Sequence, residues 1–281
     1  MNEVSNVAFK ACAQNCVGSL LPVIVSFLQR FRWVLSAGWL AGVCLGADLD
    51  LKSFHPSALK NFSARKAEWQ SSRTNVTAAI SFGRAAYELA VIAGSSAERA
   101  GVAEQGITAC RGAAVQAPKE VGATYYLAMN LGELARTKLL AALKLVKELE
   151  ELFLRARALD EKYDFAGPDR CLGMLYSQAP GWPTSVGSKP KAREHLRRAI
   201  ELRPEYPHNW IAYAEVLNRS RDRTLLAETL KSLDDLWPKA KKALAQDVSD
   251  SSWASWEESR SALKVRLAKL SRGGRGRNDD E

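Results

Sequence analysis

Apolar side chains recur along most of this chain with the spacing of an amphipathic helix. In residues 72–93 this stripe consists of Val76, Ala79, Ile80, Phe82, Ala86, Leu89 and Ala90. Such positions share one face of a helix with about 3.6 residues per turn. Further helices are predicted at 97–117, 122–137 and 139–159, with turn residues between them. The period-2 alternation of a half-buried strand is absent, so the pattern predicts an all-α protein.

A second pattern indicates how these helices pack. Leu172-Gly173 is followed three residues later by Tyr176. Small and large residues then alternate at spacings of four and three, at Ala192, Leu196 and Ala199. This is the alternation of a tetratricopeptide repeat, in which two antiparallel helices approach closely where one presents a small residue. One pair cannot bury its apolar face alone, so we predict a tetratricopeptide-like α-solenoid of stacked antiparallel helix pairs.

The connection inside this repeat is longer than the repeat requires. Gly173 and Ala199 are twenty-six residues apart, against about nineteen in the repeat template, so about seven residues are inserted between the helices. The insert is rich in proline and glycine and contains Trp182. Ser188 is the predicted N-cap of the second helix, with Pro190 in its first turn, where a missing N–H costs little.

The repeat pattern continues on both sides. Helix 139–159 has the same four-three spacing at Leu149, Phe153 and Ala156, and residues 209–218 and 223–237 form a further pair. The final helix, 251–271, has an apolar face made of Trp253, Trp256, Leu263, Leu267 and Leu270. Lysines and arginines lie opposite, as in the capping helix that ends a repeat array.

These patterns divide the chain into four segments. We expect a leader over residues 1–47, an irregular linker over 48–62 and a helical-repeat domain over 63–272. Residues 273–281 are glycine-rich and charged, and are expected to be a disordered tail.

The leader has the layout of a secretory signal peptide. Its two apolar runs are each shorter than the ~20 residues that cross a bilayer as a helix. Arg30 and Arg32 precede the second run, which ends in small residues, so cleavage is expected after Gly46 or Ala47. The chain is therefore expected to be exported, to the periplasm or the cell envelope.

A lipid anchor is one alternative use of this leader, and a retained membrane anchor or no export at all are the others. Leu40-Ala41-Gly42 begins a lipobox, but Val43 interrupts it before Cys44. More residues precede Arg30 and Arg32 than a signal peptide needs. The natural start of the protein is therefore expected downstream of Met1. Membrane contact is expected only through this N-terminal segment.

Charge argues against nucleic acid as a partner. The chain carries a formal net charge of +9, but lysines and arginines alternate with acidic residues and form no continuous basic stripe. The RGGRGR segment at 272–277 is the one basic cluster, and three acidic residues follow it at once. No nucleic-acid interface is predicted.

Residues that could perform catalysis or bind a metal are scattered. His55, His195 and His208 lie in different elements without a partner at i+3 or i+4, and His195 is expected to be a surface residue. Cys110 and Cys171 lack metal-ligand spacing and are expected to be buried as small apolar residues. No set of nucleophile, base and orienting group is present, so we predict no enzyme activity, metal or cofactor.

Ligand or partner binding is the more plausible role. First helices line the inner face of a helical solenoid, and pockets use amphipathic aromatics with a few polar groups. The candidate binding residues are Tyr125, Tyr126, Asn130, Arg170, Tyr176, Trp182 and Trp210. The alternative for the tyrosines is a purely structural place in the repeat core. For Trp182 the alternatives are a plug over the helix pair and a part of a pocket mouth.

Two stretches resemble a known family. YYLAMNLGELA (125–135) and AGPDRCLGMLYSQAPGWPTSVGSKPKAREHLRRAIELRPEYP (166–207) are similar to the TRAP transporter T-components. Generic repeat proteins lack the A-P-G-W-P insert, and the resemblance extends over roughly residues 70–240. Similar proteins are exported all-α repeat proteins, often lipid-anchored, of tripartite ATP-independent periplasmic transporters.

The resemblance implies a function. It implies association with a periplasmic solute-binding protein, a cavity for a hydrophobic or organic-acid ligand, and assembly into a homo-oligomer. The alternative is a generic tetratricopeptide scaffold that joins envelope proteins and holds no solute.

Overall fold

A computed structural model of the chain describes residues 51–137 and 142–272. A short 3₁₀ turn, Leu51–Phe54, precedes ten α-helices in these ranges. The helices are α1 (His55–Ser71), α2 (Val76–Val91), α3 (Ser96–Gln116), α4 (Val121–Ala135), α5 (Ala142–Leu159), α6 (Tyr163–Gln178), α7 (Lys189–Leu202), α8 (Pro207–Arg219), α9 (Arg223–Ala243) and α10 (Asp250–Arg272). The described residues contain no β-strand, and the all-α prediction is confirmed.

Consecutive helices pack as stacked pairs. The pairs are α2–α3, α4–α5, α6–α7 and α8–α9, and each second helix also contacts the first helix of the next pair. The first helices α2, α4, α6 and α8 contact one another in order, which makes them the inner layer of the array. Helix α10 packs on α8 and α9 and caps the last pair, as its apolar face predicts.

The small-to-large alternation of the central repeat forms the contact between α6 and α7. Leu172, Leu196 and Ala199 are fully buried. A Cβ on Gly173 would overlap Leu196 and come within 3.0 Å of the Ala192 carbonyl oxygen. The two helices therefore meet across a glycine because a larger residue would separate them.

Both cysteines in the described ranges are used as small apolar residues. Cys110 and Cys171 are free thiols and are buried, as predicted. Burial raises the pKa of the Cys171 thiol to about 11. The side chain is therefore protonated at neutral pH and packs as a neutral group.

The first helix begins earlier than the sequence pattern indicates. Helix α1 starts at His55, so residues 55–62 are helical and not an irregular linker. Pro56 lies in the first turn, where a proline fits without disrupting the hydrogen-bond ladder. Trp69 stacks on Phe82 of α2 at 5.2 Å between ring centroids, which attaches α1 to the first pair.

The insert between α6 and α7 is an ordered loop. Gly187 N donates to the Pro180 carbonyl at 2.8 Å, and Ser188 N donates to the Tyr176 carbonyl at 2.9 Å. Ser188 caps α7 by accepting from Lys191 N, as predicted. Trp182, at the tip of this loop, is 89% exposed.

The two ends of the described array meet. The turn Leu51–Phe54 contacts α10, so the stacked pairs curve back on themselves. The predicted leader (1–47) and tail (273–281) lie outside the described residues. None of the described helices is long and apolar enough to cross a membrane.

Replacing Gly173 by alanine tests the α6–α7 contact. We expect G173A to lower the free energy of unfolding by about 1–3 kcal/mol, because the new methyl group overpacks a filled contact. The matched control is Gly112→Ala in α3, where a Cβ would meet nothing within 4 Å. Removing a helical glycine there is expected to raise stability by up to about 1 kcal/mol. Urea unfolding of both variants measures the difference, and equal effects would contradict this packing.

Candidate ligand cavity

The inner layer of the array lines a partly open cavity of about 550 Å³. Its lining comes from α1, α2, α4, α6, α8 and α10, together with the short segments next to them. The second helices α3, α5, α7 and α9 contribute none of it. We call it the concave cavity, because it lies on the inner side where the first helices of a solenoid face one another.

An unusual turn at the start of α6 forms part of the cavity wall. Asp164, Phe165 and Ala166 have φ angles of 49°, 55° and 62°, which is the left-handed helical region. None of them is glycine, and each such residue costs about 1–2 kcal/mol. Three in succession therefore need strong support from their surroundings.

Arg170 provides that support. Its Nη1 donates to the Asp164 and Phe165 carbonyls at 3.3 and 3.1 Å. Its Nη2 donates to the Asp164 carbonyl at 3.2 Å and to the Asp164 carboxylate at 3.0 Å. The guanidinium thus satisfies carbonyls that the left-handed turn removes from the helical hydrogen-bond ladder.

Asn209 of α8 connects this turn to the neighbouring repeat. Its Oδ1 accepts from Arg170 Nη1 at 3.0 Å. Its Nδ2 donates to the carbonyls of Phe165, Ala199 and Arg203 at 3.0–3.2 Å. One buried amide therefore joins α6, the end of α7 and the start of α8.

Aromatic rings continue the wall from the turn towards α10. Phe165 stacks on Tyr206 with a centroid distance of 4.3 Å and nearly parallel planes. Tyr206 meets Trp256 edge-on at 5.1 Å, and His208 lies 5.5 Å from Trp256. The left-handed turn is thus packed against the capping helix through these rings.

Both arginines of the cavity wall are paired with carboxylates. Arg84 Nε donates to Glu88 Oε1 at 2.9 Å. Arg170 is paired with Asp164, and its guanidinium carbon lies 5.2 Å from the Tyr206 ring centroid. Within the described lining, no other lysine or arginine is present.

Two titratable groups on α8 have strongly shifted pKa values. His208 and Glu215 are seven residues apart, so they share one helix face. Burial raises the pKa of the Glu215 carboxyl to about 7, although Arg219 and Arg266 oppose the shift. Burial, reinforced by Arg170, holds the pKa of His208 well below its usual range, so its ring is neutral at neutral pH.

Two of the predicted binding residues, Tyr126 and Arg170, line the concave cavity. Tyr125 lies behind the wall, fully buried, and donates from its hydroxyl to the Asp164 carboxylate at 2.6 Å. Asn130 is fully buried and donates to the Gly83 and Tyr126 carbonyls at 2.8 Å. These contacts satisfy the Tyr125 hydroxyl and the Asn130 amide nitrogen, whereas Oδ1 of Asn130 is buried without a hydrogen-bond partner among the described residues.

The other three predicted residues lie elsewhere. Tyr176 donates to Glu150 at 2.7 Å and borders a smaller cavity of about 320 Å³ between α5, α6 and α7. Trp210 donates from its indole to the Pro204 carbonyl at 2.8 Å. Trp182 is neither a plug nor part of the concave cavity, because its side chain stands out from the surface.

His195 also lies at the smaller cavity, and it is not the surface residue that the sequence suggests. Its Nδ1 is 2.6 Å from Oδ1 of the fully buried Asp169. Arg157 also donates to Asp169, at 3.1 Å, so the carboxylate joins α5, α6 and α7. Across residues 51–137 and 142–272, no group of three metal-binding side chains comes together.

Sequence reasoning missed most of the cavity lining. The missed residues include Arg84, Tyr87, Glu88, Met129, Phe165, Met174, His208, Glu215 and Trp256. A usable signal existed on α8, where His208, Ala212 and Glu215 recur at spacings of four and three on a first helix. That face had to meet the inside of the array, because the opposite face carries the repeat contacts.

The architecture is that of a tetratricopeptide-like α-solenoid with a cavity on its inner side. Residues 97–249 match the family model of the TRAP transporter T-component. The match covers more than half of the chain, which belongs to this family. The resemblance drawn from residues 125–135 and 166–207 is confirmed. No curated protein matches the chain.

Solved structures support the fold. A thermophilic TPR protein of Thermus thermophilus is similar with a TM-score of 0.50 and 15% identity, over 79% of this chain and 95% of that one. MamA matches over 72% of this chain and 99% of its own, with 16% identity and a TM-score of 0.42. The first likeness is evidence for the fold alone, and the second is too weak to add to it.

Arginine is needed at position 170 for its geometry as well as its charge. We expect Arg170→Lys to lower the free energy of unfolding by about 2–4 kcal/mol, because one ammonium cannot replace the forked contacts to two carbonyls, a carboxylate and an amide. The matched control is Arg197→Lys, at an exposed position of α7, where a change below about 0.5 kcal/mol is expected. Urea unfolding compares the two, and an equally stable R170K protein would contradict the support role.

Proposed function

We propose that this chain is an exported accessory T-component of a TRAP transporter, which holds a small amphipathic solute in the concave cavity and binds a solute-binding protein. Membership of the T-component family supports the transport role. The concave cavity is the observation that supports a bound solute. Export is proposed from the signal-like layout of residues 1–47.

The size and lining of the concave cavity suit a small molecule. Ligand sites are usually clefts of about 300–1,000 Å³ with mostly apolar walls and a few polar groups. At about 550 Å³ the concave cavity lies within that range. Met129, Met174, Val91 and Ile92 supply apolar wall, and Glu215 supplies a polar group.

The ordered loop between α6 and α7 is the proposed contact for the protein partner. An indole that is 89% exposed on a hydrogen-bonded loop contributes almost nothing to packing within the chain. Tryptophan is the residue type most enriched at the energetic centres of interfaces. Helix α6 supplies Met174 to the cavity and ends where this loop begins, so partner and solute would contact one repeat.

Substituting Trp182 tests the partner contact. We expect Trp182→Ala to reduce recovery of the solute-binding protein at least about tenfold in affinity co-purification, since interface tryptophans contribute about 2 kcal/mol or more. Its melting temperature is expected to stay unchanged, because the side chain is exposed. Val115→Ala is the control, an apolar residue on α3 that is 79% exposed. Loss of stability without loss of recovery would contradict this role of Trp182.

Filling the concave cavity tests the solute. Ala58 of α1 lines the cavity, whereas Ala64 of the same helix is exposed and does not. We expect native mass spectrometry to find a small molecule retained by the wild-type chain and by Ala64→Trp, and lost from Ala58→Trp. The bulky indole would occupy the solute volume. Equal retention by both variants would show that any solute binds elsewhere.

A further inference from the structure

The concave cavity is acidic within a basic chain. The whole sequence has a formal net charge of +9. The cavity lining has two arginines and four carboxylates, which gives 2 − 4 = −2 when all are ionised. These residues are Arg84 and Arg170 against Glu88, Asp164, Glu215 and Asp247. The basic excess of the chain therefore does not extend to this wall.

Both arginines of the cavity wall already form an ion pair with a carboxylate. Arg84 is paired with Glu88, and Arg170 supports the left-handed turn through Asp164. Arg84 contacts Glu88 through Nε alone, so its other nitrogens could meet an anion, but an anionic ligand would also face the four carboxylates of the lining, which repel it. The organic-acid ligand implied by the family resemblance is thus disfavoured by the charges of the lining.

Besides the carboxylate of Asp247, two hydrogen-bonding groups on α8 remain for a ligand. Within residues 51–137 and 142–272, neither the Glu215 carboxylate nor a ring nitrogen of His208 makes a hydrogen bond, although Arg219 and Arg266 interact electrostatically with Glu215. A carboxylate only accepts hydrogen bonds, and a neutral imidazole has one accepting nitrogen. Both groups lie on the cavity face of α8, so together they suit a ligand that donates hydrogen bonds.

We propose that the concave cavity takes an amphipathic amine, with its apolar body against Met129 and Met174 and its protonated amino group on Glu215. This inference rests on the proposed function, because it names the chemical class of the solute in the same cavity. The ammonium donates to the Glu215 carboxylate, and charge-assisted hydrogen bonds of this kind are the strong ones.

Three probes with the same ten-carbon chain and different head groups test the proposal. Dissociation constants of decylammonium, 1-decanol and decanoate are measured by calorimetry on the full chain at pH 8. We expect decylammonium to bind about tenfold or more tightly than decanoate, because the carboxylates of the lining attract an ammonium and repel a carboxylate head group. Decanoate binding as tightly as decylammonium, or more tightly, would overturn the proposal.

The Glu215→Gln variant tests the group that selects the amine. We expect E215Q to raise the dissociation constant of decylammonium about tenfold and to leave that of 1-decanol unchanged, which also shows that the cavity remains folded. Glu228→Gln, at an exposed position of α9 outside the cavity, removes the same charge and is the control. Equal effects of E215Q and E228Q on decylammonium would refute the role of Glu215.

The pH dependence of decylammonium binding gives an independent test of the contact between the ligand and Glu215. The cations whose charge reaches Glu215 are Arg219 on its own helix and Arg266 on α10, and both remain charged between pH 6 and 8. With a carboxyl pKa of about 7, Glu215 is mostly charged at pH 8 and mostly neutral at pH 6. The affinity for decylammonium is expected to fall by up to about tenfold between pH 8 and pH 6, and not to fall in E215Q.

The outcomes separate this inference from the proposed function. If decanol and decanoate bind without any preference for decylammonium, the amine inference fails and the cavity still holds a solute. If none of the three probes binds, both the inference and the solute part of the proposed function fail.

Discussion

Arg170 holds three consecutive residues in a left-handed conformation, and one wall of the concave cavity depends on that turn. Without the guanidinium, the carbonyls of Asp164 and Phe165 would lose buried partners while the backbone strain remained. The turn positions Phe165 for its stack on Tyr206, which in turn meets Trp256 of α10. A single buried side chain therefore connects the central repeat to the helix that closes the array.

Closure of the array distinguishes this chain from an open repeat scaffold. An open solenoid offers a concave surface, whereas contact between the turn Leu51–Phe54 and α10 brings its two ends together around a partly open cavity. Helix α6 faces this cavity and also leads into the loop that carries Trp182. An occupied cavity and a bound partner would thus act on the same helix.

The fold was more predictable from the sequence than the cavity. Spacings such as that of Ala192, Leu196 and Ala199 are local, because they follow from the helix period and from close packing. Which residues line the cavity depends on the rotation of each helix pair relative to the next. No local spacing in the sequence determines that rotation. The left-handed turn was also hidden, since Asp164, Phe165 and Ala166 give none of the glycine signals that mark such backbone. Tyr125 and Asn130, predicted as binding residues, lie behind the wall, where the Tyr125 hydroxyl and the Asn130 amide nitrogen donate hydrogen bonds within the protein.

Methyl NMR of the methionines tests most directly whether the concave cavity is the solute site. The chain has three methionines, of which Met129 and Met174 line the cavity and Met1 lies outside the described residues. In a protein labelled with ¹³C at the methionine methyl groups, saturation with decylammonium is predicted to shift the signals of Met129 and Met174 and to leave that of Met1 in place. Binding that calorimetry detects while both cavity signals stay unmoved would contradict the account.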